Sequence, residues 1–140
     1  MDAEEARGLL ATARVARLAT CDAGGQPHLV PITFALDGEV IVTAVDHKPK
    51  RTTRLRRLRN IAANPLVSVL ADHYEDDWSL LWWVRADGTA RVIQAEDPEH
   101  MTALASLAER YEQYCGRPPE GPVIAITVER WSGWRATFSV

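Results

Sequence analysis

Apolar positions in this chain mostly alternate with polar ones at period two, and in places the spacing becomes helical. DAEEARGLLATA, residues 2–13, predicts a first helix with acids in its opening turn, where they favour the helix dipole. VARLATCD then reads as a strand and AGGQP as its turn. In PHLVPITFAL, Val30, Ile32, Phe34 and Leu36 fall on one strand face, with Pro31 and Thr33 on the other. Asp37-Gly38 is a strong hairpin signal, leading into the β-branched strand EVIVTAV. Next come residues 46–60, DHKPKRTTRLRRLRN, which run into a second helix with Thr52 or Thr53 as N-cap. Leu55, Leu58 and Ala62 make an apolar stripe with Ile61 at its margin, and Asn64-Pro65 ends the helix.

LVSVLADHY predicts another strand. WSLLWWVRADGTARVIQ is one long strand with a bulge near Asp87-Gly88, or a hairpin turning there. Residues 97–114 read as a long helix opened by Asp97 as N-cap and Pro98 at its first position. CGRPPEGP is a loop, VIAITVER a strand, and WRATFSV pairs as a last one. About five to seven hairpin-connected strands with peripheral helices predict a mainly β (α+β) chain, an antiparallel barrel plus helices. No repeat or linker divides it, so residues 1–140 are expected to form one domain.

Composition changes this picture little. With 46% hydrophobic and 25% charged residues the chain is that of an ordinary globular protein. No run of about eighteen apolar residues occurs, so no membrane-spanning helix is expected. The acidic opening MDAEEARGLL does not have the layout of a signal peptide. Cys21 and Cys115 lie far apart and in no CxxC pair, which suits a reduced, cytoplasmic protein.

Charge changes it more. The net charge is -3, yet seven of the sixteen basic residues lie in the 46–60 segment: Lys48, Lys50, Arg51, Arg54, Arg56, Arg57 and Arg59. An acidic body argues against a general nucleic-acid binder, whose affinity rests on neutralising many phosphates. A local basic patch suits one small anion better. The segment leaves a strand and enters a helix N-terminus, where free N–H groups favour a phosphate, and Pro49 stiffens the loop. The alternative is a solvated amphipathic helix whose arginines snorkel. No GxGxxG or Walker A sequence is present.

Other candidate chemistry is sparse. Trp78, Trp82 and Trp83 cluster, with Trp131 and Trp134 later. Trp82 and Trp83 point to opposite sheet faces, so one packs inward and the other meets an interface or a ring-shaped ligand. His28, His47, His73 and His100 show no metal-site spacing, and His73 with Asp76 and Asp77 reads better as a polar turn. No Ser-His-Asp set can be read from spacing. Cys21 reads as a small strand-end residue, and Tyr111 and Tyr114 share one side of the last long helix.

The order of GQPHLVPITFALDGEVIVTAV, KPKRTTRLRRLRNIAANPLVSVL and DDWSLLWWVRADGTARV, followed by a long helix, resembles the pyridoxamine 5′-phosphate oxidase-like (PPOX class) family of FMN-binding split barrels with Greek-key strands. It is more similar to the branch of reductases that use the deazaflavin coenzyme F420. The resemblance implies a homodimer with two cofactor sites at the subunit interface, each ring lying against the second and third strands. Pro31, Thr33 and Thr43 would lie near the ring and ribityl chain. Lys50 and Arg51 would face the phosphate by position after the strand, whereas counting back from Asn64-Pro65 selects Arg57; all three are candidates. Trp78 would lie near a pocket of the partner subunit.

The same resemblance implies an F420H2-dependent oxidoreductase passing a hydride from the deazaflavin C5 to a small electrophile such as a conjugated carbonyl, quinone or tetrapyrrole. The anionic oligoglutamate tail of F420 suits the arginine-rich junction. An FMN-binding oxidase or reductase, or a non-catalytic cofactor-binding protein, are the alternatives. No general acid stands out, with Tyr74 and His73 as lesser candidates. The expected partners are a small-molecule substrate and a second copy, with no metal, nucleic acid or membrane.

Overall fold

The computed structural model describes residues 1–45 and 51–137, with the backbone alone for 51–55. Helix α1 (Ala3–Thr12) is capped by Asp2, whose side chain accepts from the Glu5 N–H. Then come β1 (Ala16–Cys21), β2 (Pro27–Ile32), β3 (Ala35–Asp37) and β4 (Val40–Ala44). Helix α2 (Arg51–Ala63) connects to β5 (Leu66–His73), and a 3₁₀ turn (Trp78–Leu80) leads into β6 (Trp82–Ile93). Helix α3 (Pro98–Arg110), the short α4 (Gln113–Gly116) and β7 (Val123–Arg135) complete the chain.

All seven strands form one antiparallel sheet in the order β2-β1-β5-β6-β7-β4-β3. Its two edges, β2 and β3, are separated in sequence only by Thr33 and Phe34. The ends of the sheet must therefore meet, and the sheet coils into a barrel whose seam is a chain corner instead of a hydrogen-bonded ladder. The expected single strand over 27–36 is broken there. Tyr111 fills the corner: its hydroxyl accepts from the buried Phe34 N–H at 3.1 Å and reaches the carbonyls of Arg14 and Phe34 at 3.0 and 3.1 Å.

The barrel interior holds Leu18, Ile32, Phe34, Ile41, Val69, Val84, Ile124 and Ile126, closed off by Ala6 and Leu10 of α1 and by Ile61 of α2. A second core lies outside the barrel, where Ala103, Leu107 and Tyr111 of α3 and its C-terminal end cover Ala35, Val42, Ala44, Val123 and Ala125. Strands β4 and β7 are thus buried on both faces in this part, which explains their near-continuous apolar runs.

Two further expectations change, and one pair of alternatives is resolved. Trp134 and Arg135 do not open a separate strand but end β7, which runs unbroken from Val123 to Arg135; residues 138–140 of the expected WRATFSV strand lie outside the described residues. Gly133 permits this, since a Cβ there would lie 3.0 Å from the Trp83 carbonyl and 3.1 Å from Val84 Cγ1. Helix α3 stops at Arg110 because Tyr111 is drawn to the corner. Asp87-Gly88 is a bulge and not a hairpin: Asp87 pairs with Arg130 and Gly88 with Val128, leaving Glu129 as the extra residue on β7. A Cβ on Gly88 would lie 2.2 Å from the Thr127 carbonyl oxygen, so the close crossing requires glycine.

Candidate functional site

Among the described residues, no helix core packs on the outer face of β2, β1, β5, β6 and the distal part of β7. Cross-strand register places Pro31, Arg17, Leu70, Arg85 and Ser132 in one row and Leu29, Ala19, Ser68, Asp87 and Arg130 in the next. Leu29 is 66% exposed, Leu66 63% and Leu70 39%. Pro27 and Pro31 are tolerated because β2 is an edge strand.

A cavity of about 490 Å³ opens on this face, lined among others by Cys21, Pro27, Leu66, Ser68, Asp87 and Arg130. Asp87 organises its polar side. It accepts from the Ser68 hydroxyl at 2.6 Å and from Arg130 at 3.1 and 3.3 Å, with Arg85 Nε 3.4 Å away. Burial works to raise its pKa, but the Ser68 and Arg130 bonds and the charges of Arg85 and Arg130 together hold the carboxyl below its ordinary value. The site thus offers a fixed carboxylate beside a surface guanidinium.

Thr20 also lines the cavity and joins it to a basic corner. Its hydroxyl accepts from Asn60 Nδ2 of α2 at 3.0 Å, and both residues are buried. Thr20 pairs across the strand with His28. Arg57 lies one turn before Asn60, on the same side of the helix. His28 Nδ1 and Arg57 Nε are both buried, and neither has a hydrogen-bond partner among the described residues. Burial lowers the Arg57 pKa. Burial, then the charges of Arg56 and Arg57, lower that of His28, so the three groups lie within electrostatic reach.

The helix that brings them together is rotated from its expected setting. Ile61 is buried and Leu58 packs against the core, whereas Ala62, placed by spacing on the apolar stripe, is exposed. Asn60 enters the interior and carries Arg57 with it, while Arg56 and Arg59 stay exposed. Neither Thr52 nor Thr53 is an N-cap, because α2 already begins at Arg51.

The residues singled out from the sequence fall in different places. Pro31 is exposed on the outer face of β2. Thr33 is half-buried at the barrel corner, its hydroxyl 2.9 Å from that of Tyr114. Thr43 is 1% exposed and donates to the Thr33 carbonyl at 2.7 Å, so its hydroxyl fixes the corner. Arg51 opens α2, but its side chain, like the whole of Lys48 and Lys50, lies outside the described atoms. Trp78 is 60% exposed in the 3₁₀ turn capped by Asp77.

Trp82 packs against the interior core, and Trp83 takes the outer face opposite Trp134 with the Arg85 guanidinium 5.7 Å from its ring. His73 stacks on Trp82 and bonds Glu75 at 2.6 Å, and Tyr74 is exposed. Both lie at the opposite end of β5 from the cavity-lining Leu66 and Ser68. Among the described residues no His, Cys, Asp or Glu group could hold a metal ion. Spacing did not single out His28, Ser68, Asp87 or Arg130; the available signals were the register of Thr20 with His28 and the bulge at Asp87.

A family model described as pyridoxamine 5′-phosphate oxidase matches residues 3–135. No curated protein matches in sequence. Among solved structures, a conserved hypothetical protein from Mycobacterium tuberculosis superposes with a TM-score of 0.72 at 24% identity, over 100% of this chain and 92% of that one. An FAD-binding protein from Mesorhizobium loti gives 0.72 at 23% identity, over 95% and 94%. HutZ, a heme storage protein from Vibrio cholerae, gives 0.72 at 19% identity, over 95% and 93%. The mostly antiparallel sheet is the split barrel of these structures.

Proposed function

Because the chain belongs to the pyridoxamine 5′-phosphate oxidase family, we propose that it is an oxidoreductase using the deazaflavin F420. The observation that carries the reading is Arg57, a half-buried guanidinium with an unpartnered buried Nε, one helical turn from an Asn60 bonded to cavity-lining Thr20. A half-buried cation with one orphaned N–H, linked through Asn60 and Thr20 to a cavity of ligand size, fits a ring with an anionic tail. Arg57 would hold the phosphate-bearing tail, with Lys50 and Arg51 as further candidates by resemblance. Pro31, on the outer face beside the cavity, would flank the ring, and Thr33 and Thr43 would fix the corner behind it. Exposed Arg56 and Arg59 of the same helix, with Arg54 by its place in the sequence, are available to an oligoglutamate extension.

When bound, the deazaflavin supplies the hydride. The chain's own contribution is orientation and charge. Asp87 with Ser68 and Arg130 presents a fixed carboxylate–guanidinium pair at the cavity wall, suited to orienting a polar small-molecule electrophile. Solvent is the proton source in this reading, since His73 and Tyr74 lie at the far end of β5 from the cavity-lining Leu66 and Ser68.

A second copy completes the proposal. The outer face leaves Leu29, Leu66 and Leu70 exposed in one sheet, with Trp78 and Trp134 beyond them, and an apolar face of this extent fits a homodimer that encloses the two cavities.

Two alternatives stay within the family. FMN offers a single phosphate to the same arginine. Heme is the second, because one solved neighbour is named for heme storage and another for heme binding, and its propionates are also anions. The test is a parallel titration of the purified protein with F420, FMN and heme. Deazaflavin fluorescence that responds at the lowest ligand concentration supports the proposal; tighter FMN binding or a Soret shift with heme at lower concentration overturns it.

A further inference from the structure

His28 has no role in the proposed cofactor site, yet its placement is unusual. It lies on β2, pointing to the same side as Val30 and Ile32, at the end of the barrel that α2 covers. Its Nδ1 atom is buried and bonds nothing among the described residues, although Thr20 across the strand and Asn60 on the helix are satisfied by each other. The one other buried side-chain nitrogen or oxygen without a partner among the described residues is Arg57 Nε. Two orphaned polar atoms thus occur at one corner, on facing elements, within electrostatic reach of one another. Buried polar atoms are rarely left unpaired: Arg57 Nε–H lacks an acceptor, and so does His28 Nδ1 once the imidazole is protonated, because both ring nitrogens are then donors. The neighbouring guanidiniums of Arg56 and Arg57 make that acceptor an anion and not a carbonyl.

We propose that His28, with Arg56 and Arg57, forms an anion cradle in which His28 donates from Nδ1 to a phosphate oxygen, so that phosphate binding takes up a proton at the imidazole. The proposal rests on the reading of Arg57 as the phosphate residue and names a further residue of that subsite.

The proton balance follows from the charges. Without an anion, burial and then the charges of Arg56 and Arg57 lower the His28 pKa from its ordinary value. A phosphate offsets those charges and adds an acceptor, so the imidazole holds a proton more tightly in the complex than in the free protein. That proton comes from solvent and stays on the ring. Affinity is therefore strongest at pH below the free-protein pKa of His28 and falls as pH rises through the pKa of the complex. Among the described side chains, the charged groups facing His28 from the packed elements are Arg56 and Arg57 of α2; β1 presents the uncharged Thr20.

The experiment compares phosphorylated and phosphate-free forms of the same ring on the full chain: FMN against riboflavin, and F420 against its tail-less deazaflavin. Dissociation constants are measured by fluorescence at about pH 5.5 and about pH 8, on either side of the usual histidine range. In the native chain, preference for the phosphorylated form is expected to rise on acidification. His28→Ala is expected to lose about tenfold in that preference, the size of one charge-assisted bond, with riboflavin and tail-less deazaflavin unaffected. His28→Asn puts an amide N–H near the Nδ1 position. It should recover most of the affinity and lose the pH response.

Equal loss for phosphorylated and phosphate-free rings in His28→Ala would mean a structural role and overturn the proposal, as would an unchanged phosphate preference. A ¹⁵N-imidazole titration with inorganic phosphate separates this inference from the cofactor reading. If no ring ligand binds but the His28 resonance, identified by its absence in His28→Asn, moves with phosphate, the cradle stands and the cofactor reading falls. A His28 resonance that ignores phosphate overturns the cradle.

Discussion

Replacing Tyr111 by phenylalanine removes one oxygen and keeps the ring, which makes it a clean probe of the corner that closes the barrel. The hydroxyl is the acceptor for the Phe34 N–H and the donor to the carbonyl of Arg14 or Phe34. Phe34 is 0% exposed, so its N–H cannot turn to water when the acceptor goes. The Arg14 carbonyl belongs to an exposed residue and can rehydrate. The cost is therefore that of one orphaned buried donor plus a weakened carbonyl, about 2 kcal/mol. The guanidiniums of Arg14 and Arg110, 4.9 and 5.5 Å from the ring centroid, keep their contact with the unsubstituted ring and do not enter the difference. At roughly 3–5 °C per kcal/mol for a chain of this size, the melting temperature should fall by roughly 6–10 °C. Urea unfolding is the assay, and the slope with denaturant should stay constant while the midpoint drops. A loss below about 0.5 kcal/mol would show that the Phe34 N–H finds another partner, and the corner would not depend on this hydroxyl.

Gly88→Ala should be more damaging, on the order of 3 kcal/mol or more, because the added carbon meets the fixed Thr127 backbone at the bulge; near-native stability in the same urea assay would contradict that geometry. Asp87 titrates lower in the fold than in the unfolded chain, so its stabilising contribution is complete above the unfolded value of about 3.9 and is lost as pH falls through the folded one. Asp87→Asn should therefore flatten the acid limb of stability measured between about pH 5 and pH 2, and an unchanged limb would count against the ion-pair assignment. Arg57→Ala should weaken cofactor binding about tenfold or more while leaving the free protein as stable or slightly more so, since it removes a half-buried cation whose buried Nε has no partner among the described residues; loss of both together would point to a purely structural arginine. If the proposed dimer forms, Leu70→Lys on the uncovered sheet face should shift it toward monomer in light scattering after gel filtration, and a monomeric native chain would end the dimer proposal.

Much of the fold was legible because its signals are local. Asp2 and Asp97 cap the helices they precede, each accepting an N–H from within the first turn. Gly38 takes the positive φ that the two-residue turn between β3 and β4 needs at its first position. The strand alternation held wherever one sheet face meets the core. It failed at Thr33-Phe34 because closing a barrel is a property of the whole sheet: period two runs unbroken through a corner that only the meeting of β2 and β3 imposes. It failed again in WSGWR, where Ser132-Gly133 looks like a turn but the glycine is there so that β7 can pass close to β6.

The site was less legible for a related reason. Helical spacing ranks α2 positions by hydrophobicity and so sets Leu55, Leu58 and Ala62 on the buried stripe. The interior, however, offers α2 a polar partner, the Thr20 hydroxyl, and Asn60 takes it. A buried amide bonded at 3.0 Å outweighs the small gain from covering the methyl group of Ala62, so the helix turns until Asn60 and Ile61 face inward and Ala62 faces water. Arg57 is half-buried as a consequence of that rotation. Its guanidinium lies on the Asn60 side, next to a histidine whose neighbour across the strand is the same Thr20. One polar bond between helix and sheet thereby decides which arginine of the described side chains in the basic segment leaves solvent. That choice depends on a residue forty positions before Asn60 in the chain, and no window of sequence around the arginines contains it.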